Sequence, residues 1–68
     1  MSFEHIRRAI AERQVENGRR MIDRQRELIA GNKARGFDTV AAERLLASFE
    51  RSQAIFDEEL ATLRKTET

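Results

Sequence analysis

The chain has 68 residues, of which 37% are charged, and it contains no proline, cysteine or tryptophan. Such a short chain forms one small domain and buries too little surface to enclose a large active-site cavity on its own. The lack of cysteine excludes disulfides and thiolate metal sites. Since no apolar run approaches the roughly 18 residues that span a bilayer, we expect a soluble, cytoplasmic, helical protein.

The charges divide unevenly along the chain, although the net charge is only +1. Residues 1–36 carry nine Lys and Arg against five Asp and Glu, whereas residues 37–68 carry four against seven. The two halves are therefore electrostatically complementary, and the small total charge is unlike that of a dedicated nucleic-acid-binding protein.

The first predicted element is a helix over residues 3–35, whose apolar residues form two rows separated by polar positions. The first row is Phe3, Ile10, Met21 and Leu28, and the second row is Ala11, Val15, Ile22 and Ile29. Between them lie Arg7, Gln14, Gly18, Gln25 and Asn32. Two rows predict two partners: a second helix of the same chain and a helix from another copy.

A tight turn over residues 36–38 is predicted to follow. Gly36 favours the left-handed conformation that ends a helix, and Asp38 or Thr39 suits the N-cap of the next one. We expect Phe37 to pack back across this joint. So short a connection makes the two helices antiparallel neighbours.

The second predicted helix covers residues 39–65 and has seven-residue repeats typical of a coiled-coil seam. A turn centred on Phe37 places Ile29 opposite Leu45, Leu28 opposite Leu46, Met21 opposite Gln53 and Gly18 opposite Phe56. Gln14, Gln25 and Gln53 are expected to fix the register by hydrogen bonding. The predicted core and oligomer seam consists of Ile22, Leu28, Ile29, Leu45, Leu46, Phe49, Phe56, Leu60 and Leu63.

The predicted fold class is therefore all-α: one antiparallel two-helix hairpin over residues 1–68, coiled-coil-like, with a frayed C-terminal tail. Each large apolar side chain contributes about 1.5 to 3 kcal/mol when buried, whereas ordering each residue costs about 1.5 kcal/mol. Because a lone hairpin is marginal on these terms, we expect a homodimer that forms a four-helix bundle. Ile6 lies outside both rows of the first helix, and Ile55 lies outside the seam of the second. These two residues suggest a further apolar patch.

No motif indicates catalysis or a cofactor. His5 is the single histidine, the acids Asp57, Glu58 and Glu59 point in different directions on a helix, and the chain lacks a P-loop or nucleophile elbow. We therefore expect no catalytic, cofactor-binding or metal-binding residues and no enzymatic activity.

The cationic residues of the first helix form two rows, with Arg8, Arg19, Arg26 and Lys33 on one side and Arg13, Arg20 and Arg24 on the other. Intervening acids are placed to pair with them at spacings of three or four, as Glu16 with Arg20 or Arg19 with Asp23. These arginines are candidate contacts for a protein partner or for nucleic acid, and acids of the second helix are expected to pair with some of them.

The segments IDRQRELIA (residues 22–30) and GFDTVAAERLLASFERSQAIF (residues 36–56) resemble a group of short, functionally uncharacterised two-helix proteins from alpha-proteobacteria. The shared pattern is an Arg-Gln-Arg-Glu segment, a Gly-x-Asp-Thr turn and a Leu-Leu-x-x-Phe-Glu helix, over roughly residues 14–57. The resemblance implies a bacterial helical hairpin and brings no activity with it. Ser52 and Gln53 give a weaker likeness to hairpin phosphatases that act on sporulation regulators, although Asp57 stands one position late for their motif.

The sequence thus favours a non-enzymatic helical interaction or adaptor protein that acts through homo-oligomerisation and contacts with an unidentified protein partner. The alternative is a small RNA- or DNA-binding hairpin dimer that uses the arginine rows of the first helix. In outline it is similar to plasmid copy-number regulators that bind paired RNA loops, although it shares no motif with them.

Overall fold

The computed structural model describes residues 2–66 and contains two long helices. α1 spans Phe3–Ala34 and α2 spans Val40–Thr66, and the two pack side by side in antiparallel directions. The hairpin is about three times as long as it is wide, with extents of 51 × 17 × 14 Å. The predicted fold class, an all-α two-helix hairpin, is confirmed.

The ends of the helices explain why the chain turns where it does. Ser2 caps α1, because its hydroxyl accepts the backbone N–H of His5. At the other end Gly36 has a φ of +81°, and the N–H groups of Gly36 and Phe37 donate to the carbonyls of Lys33 and Asn32. This pair of bonds is the Schellman motif, which needs a left-handed residue at the position of Gly36.

α2 begins immediately after this turn. The side chain of Asp38 accepts the backbone N–H of Val40 at 3.0 Å, and the Thr39 carbonyl accepts the N–H of Glu43. The predicted return of Phe37 across the joint is wrong, since 60% of that residue is exposed. The turn is closed by the backbone hydrogen bonds of the Schellman motif.

The seam between the helices follows a heptad pattern on both sides, with alternating steps of three and four residues. In α1 it runs through the second row and through three half-buried polar or small residues, namely Gly18, Gln25 and Asn32. In α2 it consists of Thr39, Ala42, Leu46, Phe49, Gln53, Phe56, Leu60 and Leu63. Of the predicted seam, Ile22, Ile29 and Leu60 are buried, and Leu46, Phe49, Phe56 and Leu63 are half-buried.

The predicted register is wrong in detail. A Cβ atom built on Gly18 would overlap the side-chain amide of Gln53, so Gly18 faces Gln53 and not Phe56. Met21 and Leu28 precede the buried Ile22 and Ile29 by one residue, which turns them about 100° away from the seam. The first row is therefore outside the hairpin core, and only the second row packs on α2.

Leu28 and Leu45 consequently do not belong to the seam of the single chain. They are 55% and 47% exposed, so the predicted contacts of Leu28 with Leu46 and of Leu45 with Ile29 are replaced by solvent exposure. Their part in an oligomer seam stays a prediction.

Candidate interaction surface

One face of the hairpin carries a regular series of ion pairs between the two helices. Arg19 lies 3.5 Å from Asp57, Arg26 lies 3.2 Å from Glu50, and Lys33 lies 2.7 Å from Glu43. The cations are spaced by seven residues along α1 and the acids by seven along α2, the same spacing as the heptad pattern of the seam that they flank. We call this side of the hairpin the charged face.

Ion pairs between residues three or four apart within α1 involve other candidate arginines. Arg20 lies 2.7 Å from Glu16, as predicted, and Arg8 lies 3.2 Å from Glu12. The pair predicted between Arg19 and Asp23 does not form, because Arg19 reaches across to α2 and Asp23 lies 3.9 Å from Arg26 instead. These side chains are substantially exposed, so each pair contributes little stability, about 0 to 1 kcal/mol.

Arg13 and Arg24 differ from the other candidate arginines, because neither forms an ion pair or a hydrogen bond with another described residue. The six arginines that the sequence singled out are therefore not equivalent. Four are held by nearby carboxylates within residues 2–66, and two project from α1 without a described partner.

The first row lies on the opposite side of the hairpin from the ion pairs. Phe3 and Met21 are 18 residues apart, as are Ile10 and Leu28, and 18 residues make five turns of an α-helix. All four therefore point the same way, and all are at least half exposed. This direction differs from that of Arg19 and Arg26, which lie across the seam on its other flank.

α2 contributes two apolar residues to the same side. Leu45 directly precedes the seam residue Leu46 and is 47% exposed, while Ile55 is 58% exposed and lines a surface cavity together with Arg7 and Leu63. The shared cavity places Ile55 beside α1 on the side away from the ion pairs. We call this side, formed by Phe3, Ile10, Met21, Leu28, Leu45 and Ile55, the apolar face.

A polar layer crosses the middle of the seam between the two faces. The Nε2 atom of Gln53 donates to the carbonyl of Val15 at 2.9 Å and to Asp57 at 3.3 Å, while its Oε1 atom is buried without a hydrogen-bond partner among the described residues. Gly18 leaves the space that the amide fills. Because Gln53 fits only opposite a glycine, this layer sets the register of the hairpin.

Gln25 supports the same register nearer the turn, since its Nε2 donates to the carbonyl of Ala42 at 3.3 Å. Gln14, the third glutamine expected to act in this way, is exposed. It lies on α1 between Ile10 and Met21, next to the apolar face.

The sequence predicted that acids of the second helix pair with some of the candidate arginines, but it did not single out Glu43 and Glu50, and it considered Asp57 only as part of a carboxylate cluster and of a phosphatase-like motif. Their signal was present in the sequence, since their seven-residue spacing equals that of Arg19, Arg26 and Lys33. Recognising it required the antiparallel register, because the spacing alone does not say which acid meets which cation.

Within residues 2–66 there is no group of three or more His, Cys, Asp or Glu side chains placed to hold a metal ion. Neither α1 nor α2 is long and apolar enough over its described residues to cross a membrane. No protein-family model, curated protein or solved structure matches this chain.

Proposed function

We propose that the protein is a non-enzymatic interaction protein of the bacterial cytoplasm that works as a homodimer, in which two hairpins pack through their apolar faces into a four-helix bundle. The observation that carries this proposal is the asymmetry of the hairpin. One side has its charges paired between the helices, and the other exposes six large apolar side chains in two lines.

The burial within one chain supports the same proposal. Five apolar residues form the buried part of the core, and no side chain of residues 2–66 is fully withdrawn from solvent. Since each residue ordered on folding costs about 1.5 kcal/mol, so thin a core benefits strongly from a second hairpin. The exposed apolar face is the side on which a second hairpin adds most to burial.

In such a dimer the charged faces lie on the outside, where they are available to a protein partner. A surface of alternating cations and acids selects a partner by complementary charges more than it adds affinity. The adaptor role in the proposal therefore assigns self-association to the apolar face and partner choice to the charged face.

The proposal is tested by sedimentation velocity of the purified chain between about 1 and 100 µM. A dimer with the helical circular dichroism of a folded hairpin is the expected result. A well-folded monomer throughout this range overturns the homodimer.

Nucleic-acid binding is the competing function, and the observation in its favour is that Arg13 and Arg24 have no partner among the described residues. Against it, Arg8, Arg19, Arg20 and Arg26 are all within 4 Å of carboxylates. A titration of RNA and DNA duplexes between 50 and 200 mM salt separates the two functions. Phosphate contact gives affinity that falls steeply with salt, and two arginines per chain without a partner among the described residues predict a shallow slope at most.

A further inference from the structure

We infer that the two hairpins of the proposed dimer pack with their α1 helices antiparallel to each other, about a two-fold axis that passes between Gln14 and Asn17. Their turns then lie at opposite ends of the bundle. This inference rests on the proposed homodimer and adds its geometry: which residue of the apolar face meets which residue of the partner.

The spacing of the first row carries the inference. Successive residues of the row are separated by 7, 11 and 7 positions, a series that reads the same in both directions. When a second α1 is laid against the first in the opposite direction, Phe3 comes level with the partner's Leu28, and Ile10 with the partner's Met21. All four apolar residues of each α1 then meet apolar residues at once.

The polar residues between them match in the same alignment. Gln14 comes level with the partner's Asn17, and Asn17 with the partner's Gln14. The two amides can each donate and accept a hydrogen bond. At the centre of the α1 pair, polar side chains therefore face polar side chains, and apolar contacts lie on both sides of them.

α2 supports the same axis through an independent residue. Gln53 is level with Gly18 across the seam, so in the antiparallel helix Ile55 is level with position 16 of α1. That level lies between Gln14 and Asn17, at the proposed axis. Ile55 thus comes next to the partner's Ile55, so the most exposed large apolar residue of α2 meets its own copy.

Charges near this contact are complementary. About the same axis, Arg51 comes within one helical turn of the partner's Glu58 and Glu59, and the reverse pair forms by symmetry. These pairs select the antiparallel arrangement over a shifted one.

The alternative two-fold arrangement keeps both turns at the same end, so that each α1 lies on the partner's α2. Counted along the helices from the level of Gly18 and Gln53, Ile10 then lies near the partner's Glu59 and Thr62. Met21 lies near the partner's Ser48 and Ser52. Two of the four residues of the first row, Ile10 and Met21, would face polar side chains in that arrangement, whereas all four meet apolar residues in the antiparallel one.

A charge exchange tests which residues face each other. Ile10→Glu alone and Met21→Arg alone are each expected to raise the dimer dissociation constant at least about tenfold, because each places an unpaired charge in an apolar contact. The double variant carrying both changes is expected to recover to within about threefold of the wild type. Glu at position 10 and Arg at position 21 are too far apart to pair within one helix, so recovery requires contact between copies.

The matched control is the double variant Ile10→Glu with Leu28→Arg. It introduces the same two charges, but position 28 faces the partner's Phe3 and not position 10, so its dissociation constant should stay at least about tenfold raised. All four variants change exposed residues, and circular dichroism checks that the helices remain.

A spin-label distance gives a second readout that needs no change in the apolar face. The chain has no cysteine, so Ala34→Cys provides a unique labelling site at the end of α1. Opposite turns predict a distance of about 50 Å between the two labels, close to the 51 Å length of one hairpin. Turns at the same end predict a distance of about 25 Å or less, since neighbouring helices lie about 10 Å apart.

The outcomes separate this inference from the proposed function. A dimeric wild type with a short label distance, or without recovery in the Ile10→Glu and Met21→Arg double variant, overturns the antiparallel geometry and leaves the homodimer standing. A monomeric wild type overturns both. The inference is supported when the Ile10→Glu and Met21→Arg double variant recovers, the Ile10→Glu and Leu28→Arg control does not, and the label distance is the long one.

Discussion

The charged face and the apolar face of this hairpin are built from the same two helices and lie on opposite flanks of one seam. On the charged face, Arg19, Arg26 and Lys33 meet acids of α2 at regular intervals. On the apolar face, the corresponding flank of α1 carries Met21 and Leu28, which are 51% and 55% exposed in the single chain.

This difference shows how two kinds of specificity can be separated on a small scaffold. Cations on α1 and acids on α2 favour the pairing of α1 with α2 on this flank, since two copies of α1 would place cations against cations. The apolar face carries no such requirement within the chain, and its exposed side chains are free to drive association. Under the proposed homodimer, intramolecular pairing and self-association use different flanks of the seam.

The largest expected effect lies in the seam beneath both faces. Gly18→Leu places a side chain where the amide of Gln53 lies, so the Val15 hydrogen bond is lost or the helices separate. Overpacking of this kind costs about 3 kcal/mol, which urea denaturation followed by circular dichroism would measure.

Gly31→Leu is the matched control for that experiment. Gly31 is also within α1, but a Cβ there meets no atom within 4 Å. Leu replaces Gly in an open helical position, so we expect stabilisation of up to about 1 kcal/mol from helix propensity. If both variants lost the same stability, the seam layer at Gly18 would not be the register-setting contact.

A smaller effect is expected on the apolar face, in association and not in folding of the hairpin. Leu28→Ser should raise the dimer dissociation constant about a hundredfold, because each of the two copies loses one apolar contact of roughly 1.4 kcal/mol. Sedimentation equilibrium provides the measurement. Val40→Ser is the control, since Val40 is 52% exposed, close to the 55% of Leu28, but stands outside the apolar face. Equal weakening by both variants would argue against a specific interface.

The smallest effect is expected on the charged face. Glu50→Gln removes the partner of Arg26 and should cost less than about 1 kcal/mol of unfolding free energy, since both side chains are largely exposed. The loss should disappear near 1 M NaCl, where the screening length is about 3 Å. Glu27→Gln, at an acid with no ion pair among those described, should change stability little at either salt concentration. A cost at Glu50 that persists in high salt would contradict an electrostatic origin.

Much of the fold was predictable from the sequence for local reasons. Gly36 between two long apolar periodicities indicated the turn, because a left-handed residue ends a helix, and the heptads of α2 marked the seam residues Leu46, Phe49, Phe56 and Leu60. The pair Glu16 with Arg20 was also predictable, since residues four apart are neighbours on any helix.

The candidate surface was less predictable because it depends on register. The two rows of α1 are equally apolar in sequence, so nothing local indicates which row α2 covers. A shift of a few residues also changes the neighbours of every seam residue, which is why Gly18 was paired with Phe56 and Leu28 was placed in the seam.

The sequence by itself determined that this chain forms two amphipathic helices joined at Gly36, because helix periodicity and turn chemistry are properties of neighbouring residues. Only the tertiary structure decided that α2 covers the second row, that Gln53 fills the space beside Gly18, and that the first row is left exposed. The physical reason is that the packing energy of two helices is the sum of contacts over their whole facing surfaces. Which of two similar apolar flanks is covered depends on the contacts that α1 and α2 make along their full length. The ion pairs and the glutamine layer of this hairpin favour only one of the two flanks.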